Sequence, residues 1–119
     1  MSAFNPGDKV LLNPNFGSAI GTVDKPDRDT DTFVVLILSG RRFSTVRDDE
    51  MRLIPAGALE LDWGSRFRVH ANAPRYAGHA GCALRAEFIN GVFGYWVLLD
   101  SNDQTWIPAD ALMAEAGKS

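Results

Sequence analysis

Asp103-Gln104-Thr105-Trp106-Ile107-Pro108-Ala109-Asp110-Ala111-Leu112-Met113 is the stretch that decides the fold. Trp106 and Ile107 form a short apolar strand directly before a proline, which has no ladder donor and cannot continue a regular central strand. The strand is expected to stop there. Ala109-Asp110-Ala111 has the length of one tight 3₁₀ turn used as a connector, and Leu112 and Met113 return to apolar surface. Strand, turn and strand make the closing corner of a small β-barrel.

The same order of segments occurs twice. Gly7-Asp8-Lys9-Val10-Leu11-Leu12 is answered by Gly64-Ser65-Arg66-Phe67-Arg68-Val69, and Gly21-Thr22-Val23 by Gly81-Cys82-Ala83-Leu84. Val34 to Leu38 is answered by Tyr95 to Leu99, Val46 by Ile107 and Met51 by Leu112, these last at a constant offset of 61 residues. Self-similarity of this kind is read as two copies of one supersecondary unit. Thr32 to Leu38, rich in β-branched residues, is the strongest strand signal of the first copy. Asp24 to Asp31 reads as a polar loop too charged to bury, and Asp48-Asp49-Glu50 as a one-turn helix start. Pro55-Ala56-Gly57-Ala58 is a short linker. The expected architecture is all-β: two small five-stranded barrels packed in tandem, spanning 1–56 and 57–119, with short 3₁₀ turns and little helix.

In 119 residues, 45% hydrophobic content is enough for compact cores. The net charge of −3 argues against a general polyanion binder, whose footprint is a basic surplus. Cys82 is alone, so no intramolecular disulfide or cysteine zinc cluster can form. The first residues show no signal-peptide pattern and no stretch reaches membrane-span length. The expectation is a complete cytoplasmic protein.

Gly7-Asp8-Lys9-Val10 with Gly17-Ser18-Ala19-Ile20-Gly21-Thr22-Val23 resembles a KOW motif. Gly64 to Val69 with Trp106 to Leu112 resembles the first strand, last strands and 3₁₀ turn of an SH3 barrel. Together the chain resembles the SH3-like barrels of the KOW, Tudor and bacterial SH3 kind over nearly its whole length. The resemblance implies a binding module, with ligands met by aromatic residues and loops on one side of the barrel. It also implies nucleic-acid binding as the alternative, because KOW relatives serve transcription and translation. The fold hosts many functions and does not name a ligand.

Alternation along the strands places Val34, Leu36 and Leu38 inside the first barrel with Val35 and Ile37 outside; in the second, Tyr95, Val97 and Leu99 are inside with Trp96 and Leu98 outside. Apolar residues at outward positions call for a cover, either the other barrel or a partner, a second copy included. The partner-binding candidates are Arg75, Tyr76 and His79 in the long loop His70 to His79, with Phe93, Trp96, Leu98 and Trp106. Arg41 and Arg42 beside Phe43 are the candidate phosphate contacts.

No catalytic pattern accompanies them. His70 and His79 lack a metal spacing, no serine sits in a Gly-x-Ser-x-Gly setting, and Asp24, Asp27, Asp29 and Asp31 lack the glycine and closing glutamate of a calcium loop. No cofactor, metal or membrane is expected. The expected function is non-catalytic protein binding, as an adaptor, regulator or inhibitor.

Overall fold

Across the residues described, 4–27 and 32–115, the computed structural model contains ten β-strands and three 3₁₀ turns. Backbone contacts divide the chain into two units, Met1–Ala56 and Gly57–Ser119. The first holds β1 (Lys9–Leu12), β2 (Ile20–Pro26), β3 (Thr32–Ile37), β4 (Arg42–Arg47) and β5 (Met51–Leu53). They form an antiparallel sheet of order β4-β3-β2-β1-β5. The second holds β6 (Arg66–Val69), β7 (Ala80–Ile89), β8 (Val92–Leu99), β9 (Gln104–Pro108) and β10 (Leu112–Ala114). Its antiparallel sheet has the order β10-β6-β7-β8-β9, the same arrangement strand for strand. The chain is therefore all-β, with helix confined to 3₁₀ turns among the described residues.

The sequence led us to expect closed barrels. Strand pairing stops short of that: β4 and β5 are the edges of the first sheet and β9 and β10 those of the second. The corner around Pro108 is built as anticipated. Pro108 is the last residue of the edge strand β9, where a missing N–H costs no internal ladder bond, and the 3₁₀ turn Ala109–Ala111 then leads into β10.

Two details of the first unit differ from expectation. Asp24, Lys25 and Pro26 do not belong to a loop but to β2, which continues to pair with β3 beyond a bulge between Val23 and Lys25. A bulge adds one unpaired residue and redirects the strand, so a charged, partly exposed end still forms ladder. Arg28, Asp29, Thr30 and Asp31 lie outside the described residues. Asp27 is engaged: its Oδ2 accepts from the Thr45 backbone N–H at 2.7 Å and from Thr45 Oγ1 at 3.1 Å. Thr45 has φ +57° and sits where β4 carries an extra residue against β3.

The second difference is the phase of β3. Phe33 and Val35 are buried in the first core with Val10, Leu12, Val23, Val46 and Met51, and Ile37 packs against them. Leu36 and Leu38 are 36% and 40% exposed. Val34, expected inside, is buried but does not belong to that cluster, whereas Val35 and Ile37 face the core and Leu36 and Leu38 face outward, the reverse of the reading above. Registers give the reason. Val23 pairs with Val35 as Ala83 pairs with Val97, so Val35 is the counterpart of Val97 and Phe33 that of Tyr95. Matching Val34 to Tyr95 is off by one residue, and such a slip exchanges the faces of a strand. In the second unit the phase is as expected: Tyr95, Val97 and Leu99 are buried, whereas Trp96 is half-buried and Leu98 exposed.

Tyr95 also ties down the chain that enters the second sheet. Its hydroxyl donates to the Leu59 carbonyl at 2.6 Å and accepts from the Leu61 N–H at 2.9 Å. Burial pushes its ionisation well above the usual tyrosine range. No helix among the described residues is long and apolar enough to cross a membrane.

Candidate functional site

The loop between β6 and β7 is shaped by its own backbone. His79 N–H donates to the Tyr76 carbonyl at 3.0 Å, Gly78 N–H to Val69 at 3.0 Å and Val69 N–H to His79 at 2.7 Å. Its base is fastened to the 3₁₀ turn by His70 N–H donating to the Ala111 carbonyl at 2.9 Å. Loop and turn are thus held side by side. At the tip, Tyr76 has φ +59°, a left-handed conformation that a bulky residue rarely adopts. Its ring is flanked by the Arg75 guanidinium 5.3 Å from the centroid and by the His79 ring, edge-on at 5.8 Å. Strain of this kind persists only where neighbours over-determine the conformation, and it is concentrated at ligand sites.

The facing wall is Trp106 of β9. Its indole lies over Gly94 of β8, where an added Cβ would stand 2.5 Å from Cζ2 and 2.7 Å from Cε2. Glycine is required there by that approach, not by its own φ. Trp106 Nε1–H donates to the Glu87 carbonyl at 3.1 Å, which fixes the ring's azimuth. Between the walls is a cleft of about 360 Å³ lined chiefly by Pro74, Arg75, Tyr76, Trp106, Pro108 and Asp110. A second, more polar hollow of about 390 Å³ adjoins it and adds His70 and Asn72, sharing Ala73, Pro74, Asp110 and Ala111.

Three of the anticipated binding residues, Arg75, Tyr76 and Trp106, therefore meet in one cleft. His79 supports Tyr76 from beside it. Trp96 pairs with Trp106 across β8 and β9 and with Arg85 across β7, so the two indoles share the outer face of the sheet, but of the two Trp106 alone lines the cleft. There Trp96 Nε1–H donates to Glu87 Oε1 at 2.7 Å, and the Arg85 guanidinium lies 5.6 Å from the indole centroid. The indole N–H, then Arg85, hold the Glu87 carboxyl below the usual carboxylate range. Leu98 is exposed further along the same strand.

Phe93 does not reach the surface. It is 4% exposed, with its ring 5.3 Å from both Phe88 and Tyr95, so it serves the core and leaves the set of contact residues. Arg41 and Arg42 belong to the first unit and are exposed. Arg41 stacks on Phe43 at 5.4 Å, and Phe43 meets Phe16 at 5.1 Å. The nearby acids are engaged locally, Asp49 with Arg47 Nε at 3.4 Å and Glu50 Oε1 with the Arg47 N–H at 2.9 Å.

Pro74, Pro108, Asp110, His70 and Asn72 were not singled out as site residues from the sequence. The paired Pro-x-aromatic of the loop and Pro-x-Asp of the turn were visible there, but the hydrogen bond that brings the two segments together was not. Chemically, the cleft offers apolar and aromatic walls with few polar groups, the composition of a recognition site. Among the described residues no group of three or more His, Cys, Asp or Glu side chains could hold a metal ion. No protein-family model matches the chain, and no curated protein matches it.

Proposed function

We propose that the protein is a non-catalytic binding module of two SH3-like barrel units, acting as an adaptor, regulator or inhibitor, and that its second unit takes up an extended segment of another protein. The observation that carries this reading is the cleft lined by Tyr76 and Trp106 together with Pro74 and Pro108. Supporting the SH3-like assignment are the shared strand order of the two sheets and the 3₁₀ turn joining β9 to β10. Supporting recognition is the preparation of both walls before any ligand arrives. Tyr76 is held by Arg75, His79 and a strained backbone, and Trp106 by Gly94 and Glu87. Preorganised aromatic walls offer contact area with little ordering cost, and they suit a polyproline II segment, which is itself pre-extended.

The test is fluorescence anisotropy with a short labelled peptide of alternating proline and leucine, capped at both ends. Saturable binding is expected, weakened roughly tenfold or more by Tyr76→Ala or Trp106→Ala, as for aromatic anchors at an interface. Labelled single- and double-stranded DNA and RNA serve as the opposing probes. Their binding in place of the peptide, falling steeply with salt and lost in Arg41→Ala/Arg42→Ala, would replace this reading with the nucleic-acid one.

A further inference from the structure

Strands β7 and β8, the longest among the described residues, are joined by Asn90 and Gly91, which form the only Asn-Gly pair in the sequence. Ile89 pairs with Val92 across this two-residue loop, and φ is +52° at Asn90 and +80° at Gly91. Positive φ at both central positions marks a type I′ turn, for which Asn-Gly is the preferred sequence. Both residues are exposed. Neither the Asn90 side-chain amide nor the Gly91 N–H has a hydrogen-bond partner among the described residues. The turn thus offers water a free carboxamide and, on the next residue, a free backbone nitrogen.

We propose that Asn90 is a site of spontaneous covalent modification, losing its amide through a succinimide to leave aspartate or isoaspartate at the hairpin tip. The Gly91 nitrogen gives its proton to hydroxide and attacks Asn90 Cγ. As the N–Cγ bond forms, the Cγ–Nδ2 bond breaks, and Nδ2 leaves as ammonia with a proton from water, which regenerates the hydroxide. Water then adds to either carbonyl of the five-membered ring. Cleavage of the N–Cγ bond restores the ordinary peptide link and leaves aspartate; cleavage of the backbone C–N bond leaves isoaspartate. One water enters, one ammonia departs and nothing is oxidised or reduced.

The fold suits this path. Ring closure needs Asn90 Cβ and the Gly91 nitrogen eclipsed about the Cα–C bond, and in an L residue that sets ψ near −120°, the value at the first central position of a type II′ turn, where φ is about +60°. Asn90 already holds that φ. Rotating the Asn90–Gly91 peptide plane supplies the ψ and turns φ of Gly91 negative, which glycine accepts as readily as positive. Types I′ and II′ are the two favoured hairpin turns, so the strands stay paired throughout. Asn102 is also exposed and left-handed, at φ +76°, but is followed by Asp103, whose side chain crowds the nitrogen.

Isoaspartate adds one methylene to the main chain, and a two-residue turn has no room for it. The pairs nearest the tip are Ile89–Val92, Phe88–Phe93 and Glu87–Gly94. The last of these seats Trp106, whose indole N–H donates to the Glu87 carbonyl at 3.1 Å and whose ring lies over Gly94. Modification at the tip therefore loosens one wall of the cleft, whatever the cleft binds.

The intact chain is incubated in mildly alkaline buffer made with heavy-oxygen water, and its peptides are fragmented in the mass spectrometer. Aspartate and isoaspartate are expected at residue 90, each carrying one heavy oxygen, at a rate proportional to hydroxide. Asn102 should react at least roughly tenfold more slowly, its nitrogen being worse placed for attack. The same incubation in urea gives the unfolded rate, and the folded rate should stay within about tenfold of it, since the turn can reach the attacking geometry. Asn90→Gly, which keeps a pair competent for a type I′ turn, should remove the isoaspartate and leave the chain folded. Asn90 left intact in the folded chain while the unfolded chain reacts, or Asn102 reacting as fast as Asn90, would overturn the proposal. In the modified chain the indole N–H resonance of Trp106 is expected to shift; an unchanged resonance would overturn the link to the cleft.

Discussion

Tyr95→Phe removes a single oxygen from the second unit and leaves the ring to pack as before. Tyr95 is fully buried, and Leu61, whose N–H it receives, is 7% exposed. Losing the hydroxyl strips the Leu61 N–H of its partner at 2.9 Å and the Leu59 carbonyl of its donor at 2.6 Å. A buried backbone group left without a partner costs about 1–3 kcal/mol, and the half-exposed Leu59 carbonyl is in reach of water. The expected loss is about 2 kcal/mol, the middle of that range. For a domain of this size that lowers the melting temperature by about 8–16 °C. Urea unfolding measures it, and amide exchange localises it: Leu61 should lose protection ahead of Val97. Tyr76→Phe is the control, because the Tyr76 hydroxyl has no hydrogen-bond partner among the described residues; its effect should stay within about 0.5 kcal/mol. The Tyr95 hydroxyl also gives a pH test. Burial favours the neutral phenol in the folded state, so its contribution is intact below about pH 10, the unfolded value, and is lost as pH rises from there through the higher folded value. Tyr95→Phe should remove that alkaline limb. An unchanged midpoint together with full protection of Leu61 would refute the clamp.

Gly94→Ala should push the Trp106 indole off β8 and break its bond to the Glu87 carbonyl, costing about 2–4 kcal/mol from overpacking plus one lost hydrogen bond, with altered tryptophan fluorescence; an unperturbed spectrum and unchanged stability would count against the packing described. Val35→Asn should destabilise the first unit by about 3 kcal/mol through burial of an unpartnered amide, while Leu36→Asn stays near wild type in the same denaturation assay. The opposite ranking would restore the phase inferred from the sequence. Asp100 is held below the usual carboxylate range, foremost by its hydrogen bond to Arg66. Its contribution is present above the unfolded value near pH 4 and lost as pH falls through the folded one, so Asp100→Asn should flatten the acid limb of the stability curve, most visibly at low salt.

Strand existence was legible because β-branched and apolar runs are bounded by strong turn residues, and the phase assigned to Tyr95, Val97 and Leu99 held, although that run too is apolar at every position. The first unit's phase did not. Val34 to Leu38 is apolar at every position, so alternation carries no information there, and the bulge after Val23 shifts the pairing without leaving a mark in the sequence. Asp24 to Pro26 look like loop because charge and proline usually mean loop; near the end of a partly exposed strand neither is a barrier to pairing. At the site, aromatic residues could be nominated by type alone, which selected Tyr76 and Trp106 along with Phe93, whose ring turned inward. The cleft itself depends on the His70–Ala111 hydrogen bond, which joins residues remote in sequence. Gly94, plain in the sequence, becomes informative only when Trp106 is seen lying across it.

The most direct measurement is an NMR titration of the intact chain with the unlabelled, capped proline–leucine peptide, reading which backbone amides move. The account predicts saturable shifts concentrated at Ala73 to Tyr76 and Trp106 to Ala111, and their loss in Trp106→Ala. Shifts confined to Arg41 to Phe43 or to Trp96 and Leu98, or none at concentrations where the peptide stays soluble, would contradict it.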